Sequence, residues 1–292
     1  MGRPVPVLPL VVTDSHNHAN WLGRDAAGLI SDMDERGIGR AWLLTWEIRP
    51  DEYRAGGVPS EGITLRDTLE ARDRYPDRLV AGFAPHPLAG DAVRRFADAV
   101  RTRGVRVCGE WKCRMPMDDP RCLELFRKAG ELDCPVVFHL EPPELPGPGG
   151  TRIPQRYWSG GTIPNVERVL GECPGTAFVG HAQGFWREIS GDADTAEGAY
   201  PTGPVVPGGR LYGLFDRFPN LHADLSAGSG FNALARDPGH AKAFLIRYAR
   251  RLLFGRDDYS GRLFEFLTGL GLPQDDLAAI LGGNAERLLG AS

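Results

Sequence analysis

The chain has 292 residues, 42% of them hydrophobic, and a formal net charge of -4. That length and apolar share supply the core of one large domain over residues 1–292, a size at which α/β barrels commonly run. Charges of both signs are interspersed, and no apolar run reaches the ~18 residues of a membrane span. Nucleic acid and membrane are therefore excluded as partners, which leaves a small molecule. The five cysteines are odd in number and fit no zinc ribbon or CxxC pair. Reduced, buried thiols in a cytoplasmic protein follow from that.

The N-terminal "MGRPVPVLPLVV" has one Arg, prolines within its apolar run and no small-residue cleavage site. It reads as a strand of the mature fold rather than an export signal. Eight short apolar runs follow one another along the chain, at 8–13, 41–46, 79–84, 105–111, 135–140, 176–180, 220–225 and 251–255. Helical patterns lie between them. Val93, Phe96, Ala97 and Val100 keep an i, i+3, i+4, i+7 stripe. Val166, Val169 and Leu170 follow Pro164, a first-turn proline. Eight strand-then-helix units predict a (β/α)8 barrel. A doubly wound sheet would usually carry a Gly-rich phosphate turn after its first strand, and none is present. Near the C-terminus, Gly282 and Gly283 close one helix and Asn284 suits the N-cap of the next.

Two connections are long and rich in Gly and Pro, after the fifth and sixth strands. Both would distort the barrel and sit over its C-terminal face, where barrel active sites lie. The same face collects polar groups from separate strand ends. "TDSHNH" puts Asp14, His16 and His18 at alternate positions, hence on one face of a strand, with the histidines ~7 Å apart along it. Polar side chains at the end of a buried strand cost free energy unless something binds them. "VCGEWKC" adds Glu110 and Lys112, "PVVFHLE" His139, "AFVGHAQ" His181 and "LLFGRDDY" Asp257. Imidazoles with carboxylates suit zinc, and manganese or iron accept the same donors. Each residue also has a plain structural reading: a satisfied core histidine, a helix cap at Asp257, a Glu110–Lys112 ion pair. What those readings leave unexplained is that all fall at strand C-termini, which converge in a barrel.

The ordered motifs "DSHNH", "GEWK", "FHL", "GHA", "FPNLHADLS", "LLFGRDD" and "GGNAERLL" resemble the amidohydrolase superfamily. Within it they are similar to the amidohydrolase-related branch, which holds lactonases and non-oxidative decarboxylases. The resemblance runs from about Val11 to Leu289. It implies a TIM barrel and His16, His18 and His139 as ligands of a divalent ion. It implies Asp257 as ligand and general base, and His181 as ligand of a second ion or as the group polarising a carbonyl. Glu110 stands where some branches bridge two ions; bridging implies two, hydrogen bonding alone implies one. A homodimer is also a family expectation.

A bound divalent ion brings the pKa of water to ~7, and Asp257 could move its proton. That is machinery for hydrolysing an ester or amide, with a lactone as the expected substrate. A decarboxylase of an aromatic or unsaturated acid, and an inactive binding barrel, are the alternatives. Asp14 either orients the strand-one histidines or bonds the barrel backbone. Around the ions, His86 and Lys112 are candidate substrate contacts, with Arg114, Tyr157, Trp158 and Trp186 from the loops or the same face. His86 could equally serve a tight turn, and Phe185 and the aromatics could simply fasten the loops. Arg152, Arg156 and Arg187 are further candidates for holding a substrate carboxylate. Asp224 reads as a structural acid in the barrel mouth, and His222 and His240 as ordinary.

Overall fold

The computed structural model describes residues 11–49 and 62–290. Eight parallel strands form its centre: β1 Val12–Asn17, β2 Ile38–Leu43, β3 Leu79–Ala81, β4 Cys108–Trp111, β5 Val136–His139, β6 Phe178–His181, β7 Leu221–Asp224 and β8 Leu252–Leu253. They pair in chain order as β1-β2-β3 and β4-β5-β6-β7-β8. A bridge between Gly82 and Val107 joins the two sets on one side. On the other, the Ser15 amide donates to the Phe254 carbonyl at 2.9 Å and closes the ring. The result is the predicted (β/α)8 barrel. Residues 8–10 of the first predicted strand lie outside the described residues.

Strand alternation separates two cores. Trp42, Leu44, Val107, Val137, Val179 and Leu253 fill the barrel interior, closed below by Ala285 and Leu289. Their neighbours Ala41, Leu43, Cys108, Val136, Phe138 and Phe178 face the surrounding helices. Those helices include α1 Ala26–Glu35, α2 Leu65–Arg74, α3 Ala92–Arg103, α4 Pro120–Glu131, α5 Ile163–Glu172, α6 Arg210–Arg217, α7 Ala227–Ala235, α8 Pro238–Arg247 and α9 Arg262–Gly269. The stripe read around Phe96 is α3. Pro164 lies in the first turn of α5, which Thr162 and Asn165 cap reciprocally.

Two departures from regular pairing shape the mouth. β3 is short, so Thr45 beyond β2 bonds past it to Gly109 and Glu110, at 2.9 and 2.7 Å. The β4–β5 register shifts between Cys108 and Trp111. Val107 already faces inward, so strict alternation would turn Glu110 outward; the shift brings it in. In β1 the register likewise slips between Asp14 and Asn17.

The C-terminal segment differs from the expected helix break. Gly282 and Gly283 lie in a π-helical stretch that runs straight into the last helix. A Cβ on Gly282 would stand 2.0 Å from the Val11 carbonyl oxygen, so glycine is what lets the segment seat under β1. Asn284 has helical backbone angles, so it is not an N-cap. Its side chain donates to the carbonyls of Ala249 and Leu252 at 2.7 and 2.6 Å, pinning the segment to β8. All five cysteines are buried. Among the described residues no helix is long and apolar enough to cross a membrane.

Candidate active site

Position two residues apart does not make Asp14, His16 and His18 a set. The β1 irregularity separates them. Asp14 accepts from the amides of His16 and Arg256 and from the Arg256 guanidinium, which reaches on to Asp32 of α1. Asp14 is thus a buried anchor of the β1 and β8 ends, the backbone-bonding alternative, and it holds neither ring.

The ring-orienting role falls to Asp224 at the end of β7. His16 Nδ1 donates to its Oδ2 at 2.9 Å and His181 Nδ1 to its Oδ1 at 3.0 Å. The Ser226 hydroxyl donates to the same carboxylate and lies 2.9 Å from His181 Nδ1. The Trp186 indole donates to the Asp224 carbonyl at 2.9 Å. His18 Nδ1 donates to the Leu44 carbonyl at 2.9 Å. With their Nδ1 protons committed, His16, His18 and His181 all turn Nε2 lone pairs toward the cavity.

Glu110 sits among these nitrogens. Its carboxylate lies 3.8 Å from His16 Nε2, 3.7 Å from His18 Nε2 and 3.9 Å from His181 Nε2. Asp257, at a φ of 54°, lies 3.2 Å from His18 Nε2 and 3.7 Å from His181 Nε2. Two convergent donor groups result, His16–Glu110–His181 and His16–His18–Asp257, the donor atoms of each within 4.8 Å of one another. His139 belongs to neither. Its Nδ1 donates to Glu110 at 2.6 Å, and its Nε2 faces Glu141 at 3.5 Å.

Electrostatics show what the cavity lacks. Burial alone would lower the His16 pKa and raise those of Glu110, Asp224 and Asp257. The opposite happens. Against burial, the carboxylates of Asp224, Glu110 and Asp257 together lift His16 well above the usual imidazole value. Lys112 and His139 hold Glu110 well below the carboxylate range. The adjacent His18 ring and the His16 and His181 imidazoles lower Asp257, and His181 and His16 lower Asp224. Burial does lower His181. The pocket therefore stabilises positive charge at its centre. His16 Nε2 and Asp257 Oδ1 are buried there with no hydrogen-bond partner, a costly arrangement unless a cation completes it. Imidazole nitrogens and carboxylate oxygens in such a cluster fit a divalent ion.

A family model described as amidohydrolase matches residues 13–291. The chain belongs to the amidohydrolase family. It is accordingly an enzyme. Among solved structures it is similar to an uncharacterised TIM-barrel protein of Bordetella bronchiseptica, at 21% identity over 91% of this chain and 82% of that one, TM-score 0.61. It is similar to a dihydroxybenzoic acid decarboxylase of Polaromonas sp. JS666 holding manganese and 2-nitroresorcinol, at 19% identity over 90% and 85%, TM-score 0.55. A candidate 2-pyrone-4,6-dicarboxylic acid hydrolase of Pseudomonas putida shares 18% identity over 98% and 99%, TM-score 0.59. No curated protein matches the sequence.

The other expected contacts of this amidohydrolase divide. The Lys112 ammonium lies beside Glu110 electrostatically and over the Trp46 ring at 4.1 Å. His86 Nδ1 accepts from the Leu88 amide in a turn, and its own amide donates to Glu47. Trp186 differs from expectation: it is fully buried, packed on Phe185 and Phe244. Phe185 itself fills the space that Gly180 leaves. Tyr157 is exposed with Arg156 against its ring, Trp158 is half-buried, and Arg114 is exposed. Arg187 donates to the carbonyls of Ala193, Ala196 and Gly198, which organises the long loop after β6.

Two mouth residues escaped the sequence. Glu141, two positions past His139, is 8% exposed and accepts from Gln183 at 2.8 Å. Its signal was present, since i+2 spacing keeps it on the face of His139. Tyr200 comes from the long loop. Burial and the charges of Glu141 and Asp257 push its phenol up, and no spacing rule marks it.

Proposed function

We propose that this protein is a metal-dependent hydrolase of a small carbonyl ester or amide, with a lactone as the substrate and zinc as the ion. The observation that carries this reading is the convergence of His16, His18, Glu110, His181 and Asp257 around unpartnered His16 Nε2 and Asp257 Oδ1 atoms. His16, His18, Glu110, His181 and Asp257 would hold one ion or two, with His139 beside them on Glu110. Such an ion supplies Lewis acidity, bringing the pKa of water to ~7 and drawing charge from a carbonyl oxygen.

The chain's own groups do the rest. Asp257, with Oδ1 turned to the ion site, takes the proton of the attacking water on Oδ2 and delivers it to the leaving oxygen or nitrogen. His18, 3.2 Å away, keeps that carboxylate aimed. His181 is held neutral by burial, with its Nδ1 proton committed to Asp224. That favours an electron-pair-donating role at Nε2 over hydrogen-bond donation to a carbonyl. Lys112 keeps Glu110 ionised.

Decarboxylation of an aromatic or unsaturated acid is the second reading, supported by the likeness to the manganese-containing decarboxylase barrel. Turnover in 18O-labelled water separates the two. Hydrolysis places one labelled oxygen in a new carboxylate; decarboxylation releases carbon dioxide and takes a proton onto carbon.

A further inference from the structure

We propose that Glu141 sets the substrate's charge: the lactone or cyclic amide carries a hydroxyl or ammonium donor beside its scissile carbonyl, and acidic analogues are rejected. This rests on the hydrolase reading above and narrows its substrate class.

The inference starts from the carboxylates at the mouth. Glu110 and Asp257 face the donor cluster, where a divalent ion would balance their two charges. Asp224 is committed to His16 and His181. Glu141 belongs to neither convergent group. Its Oε1 accepts one bond from Gln183, and its Oε2 stands 3.5 Å from His139 Nε2. A carboxylate offers about four acceptor positions, so Glu141 retains capacity for a ligand donor while almost fully buried.

Among the cations expected at the mouth, Arg114 is exposed and Lys112 lies beside Glu110. Lys112 also lies over Trp46. The Arg187 guanidinium is bound by three backbone carbonyls. Arg152 is exposed and faces Glu144 at 3.8 Å, and Arg156 lies against Tyr157. None of these presents the two-pronged fork that holds a carboxylate. Tyr200, exposed on the long loop, stands nearby. Its hydroxyl would stand 3.7 Å from a Cβ on Gly228, in the first turn of α7 two residues past Ser226. The Arg187-organised loop carries it there, within reach of the fields of Glu141 and Asp257.

The experiment uses the metal-loaded full chain. Rates are measured on γ-butyrolactone and its α-amino, α-hydroxy and ring-carboxylate derivatives. Binding is measured calorimetrically with α-amino-γ-butyrolactam and pyroglutamate. The parent should favour the aminolactone over the carboxylate by at least about tenfold in kcat/KM, the scale of one charge-assisted hydrogen bond. Glu141→Gln should bring the two within about twofold, while Glu144→Gln, an equal change in net charge at an exposed position where Glu144–Pro146 pairs antiparallel with Arg152–Pro154, should leave the ratio as it was. A parent that takes the carboxylate as well as the amine overturns the proposal without any variant. Lactone hydrolysis with a ratio unmoved by Glu141→Gln overturns it and leaves the hydrolase reading intact. No turnover of any lactone, with the aminolactam still bound about tenfold tighter than pyroglutamate and Glu141→Gln removing that preference, sinks the hydrolase reading and supports the role of Glu141.

Discussion

Replacing Asp224 with Asn isolates the group that aligns two rings at once. The carboxylate accepts from His16 Nδ1 at 2.9 Å and His181 Nδ1 at 3.0 Å. An amide can accept from only one. Its NH2 end would face the other Nδ1, forcing that imidazole into the tautomer with its proton on Nε2, inside the cavity. One donor of the cluster is lost while side-chain volume is unchanged. Loss of a carboxylate behind a metal-binding histidine costs 10–100-fold in affinity, or about 1.4–2.8 kcal/mol at 1.4 kcal/mol per decade. Competition with a chromophoric chelator measures it. Asp224→Asn should bind zinc at least about tenfold more weakly than the parent, with an unchanged far-ultraviolet spectrum. Affinity within twofold of the parent would refute the tautomer argument.

Three further outcomes follow from the same geometry. Asp257→Asn should lower kcat by about 100-fold or more, the range of general acid–base catalysis, while the thermal midpoint stays near that of the parent. Asn284→Ala strips hydrogen bonds from two buried carbonyls, of Ala249 and Leu252; urea unfolding should show a loss of about 3 kcal/mol, with turnover per folded molecule retained. Burial holds His222 at about 4, against 6.5 in the unfolded chain. It stays neutral in the fold while the unfolded chain takes up its proton, so stability is lost as pH falls from 6.5 to 4. At 1.36 kcal/mol per unit this is about 3 kcal/mol, and His222→Gln should flatten the acid side of the stability curve by that amount.

The barrel was readable because its signal is regular. Each apolar run of β2 to β8 has a strand beside or within it, and the stripe around Phe96 is α3. The donors at strand ends were readable for a related reason: each alone has a structural use, but a barrel brings the C-terminal ends of its strands to one mouth. What failed was alternation carried through irregular pairing. The slip in β1 sends Asp14 toward α1 and His16 inward, and the shift in β4 turns Glu110 in. Both depend on neighbouring strands, which local sequence does not encode. Asp224 was visible in "LHADLS" but ambiguous, because its role exists only through two histidines from β1 and β6. Trp186 shows the converse. An aromatic in a long loop was a pocket candidate by position, yet the helical turn at Gln183–Trp186 packs it into the core.

The central claim is that these residues hold a divalent ion, and elemental analysis of the dialysed protein tests it directly. Inductively coupled plasma mass spectrometry of the parent should find about one or two equivalents of a divalent metal, fewer in His16→Ala, and the two counts would separate a single ion from a Glu110-bridged pair. A parent that retains no metal after supplementation with zinc, manganese or iron would contradict the account.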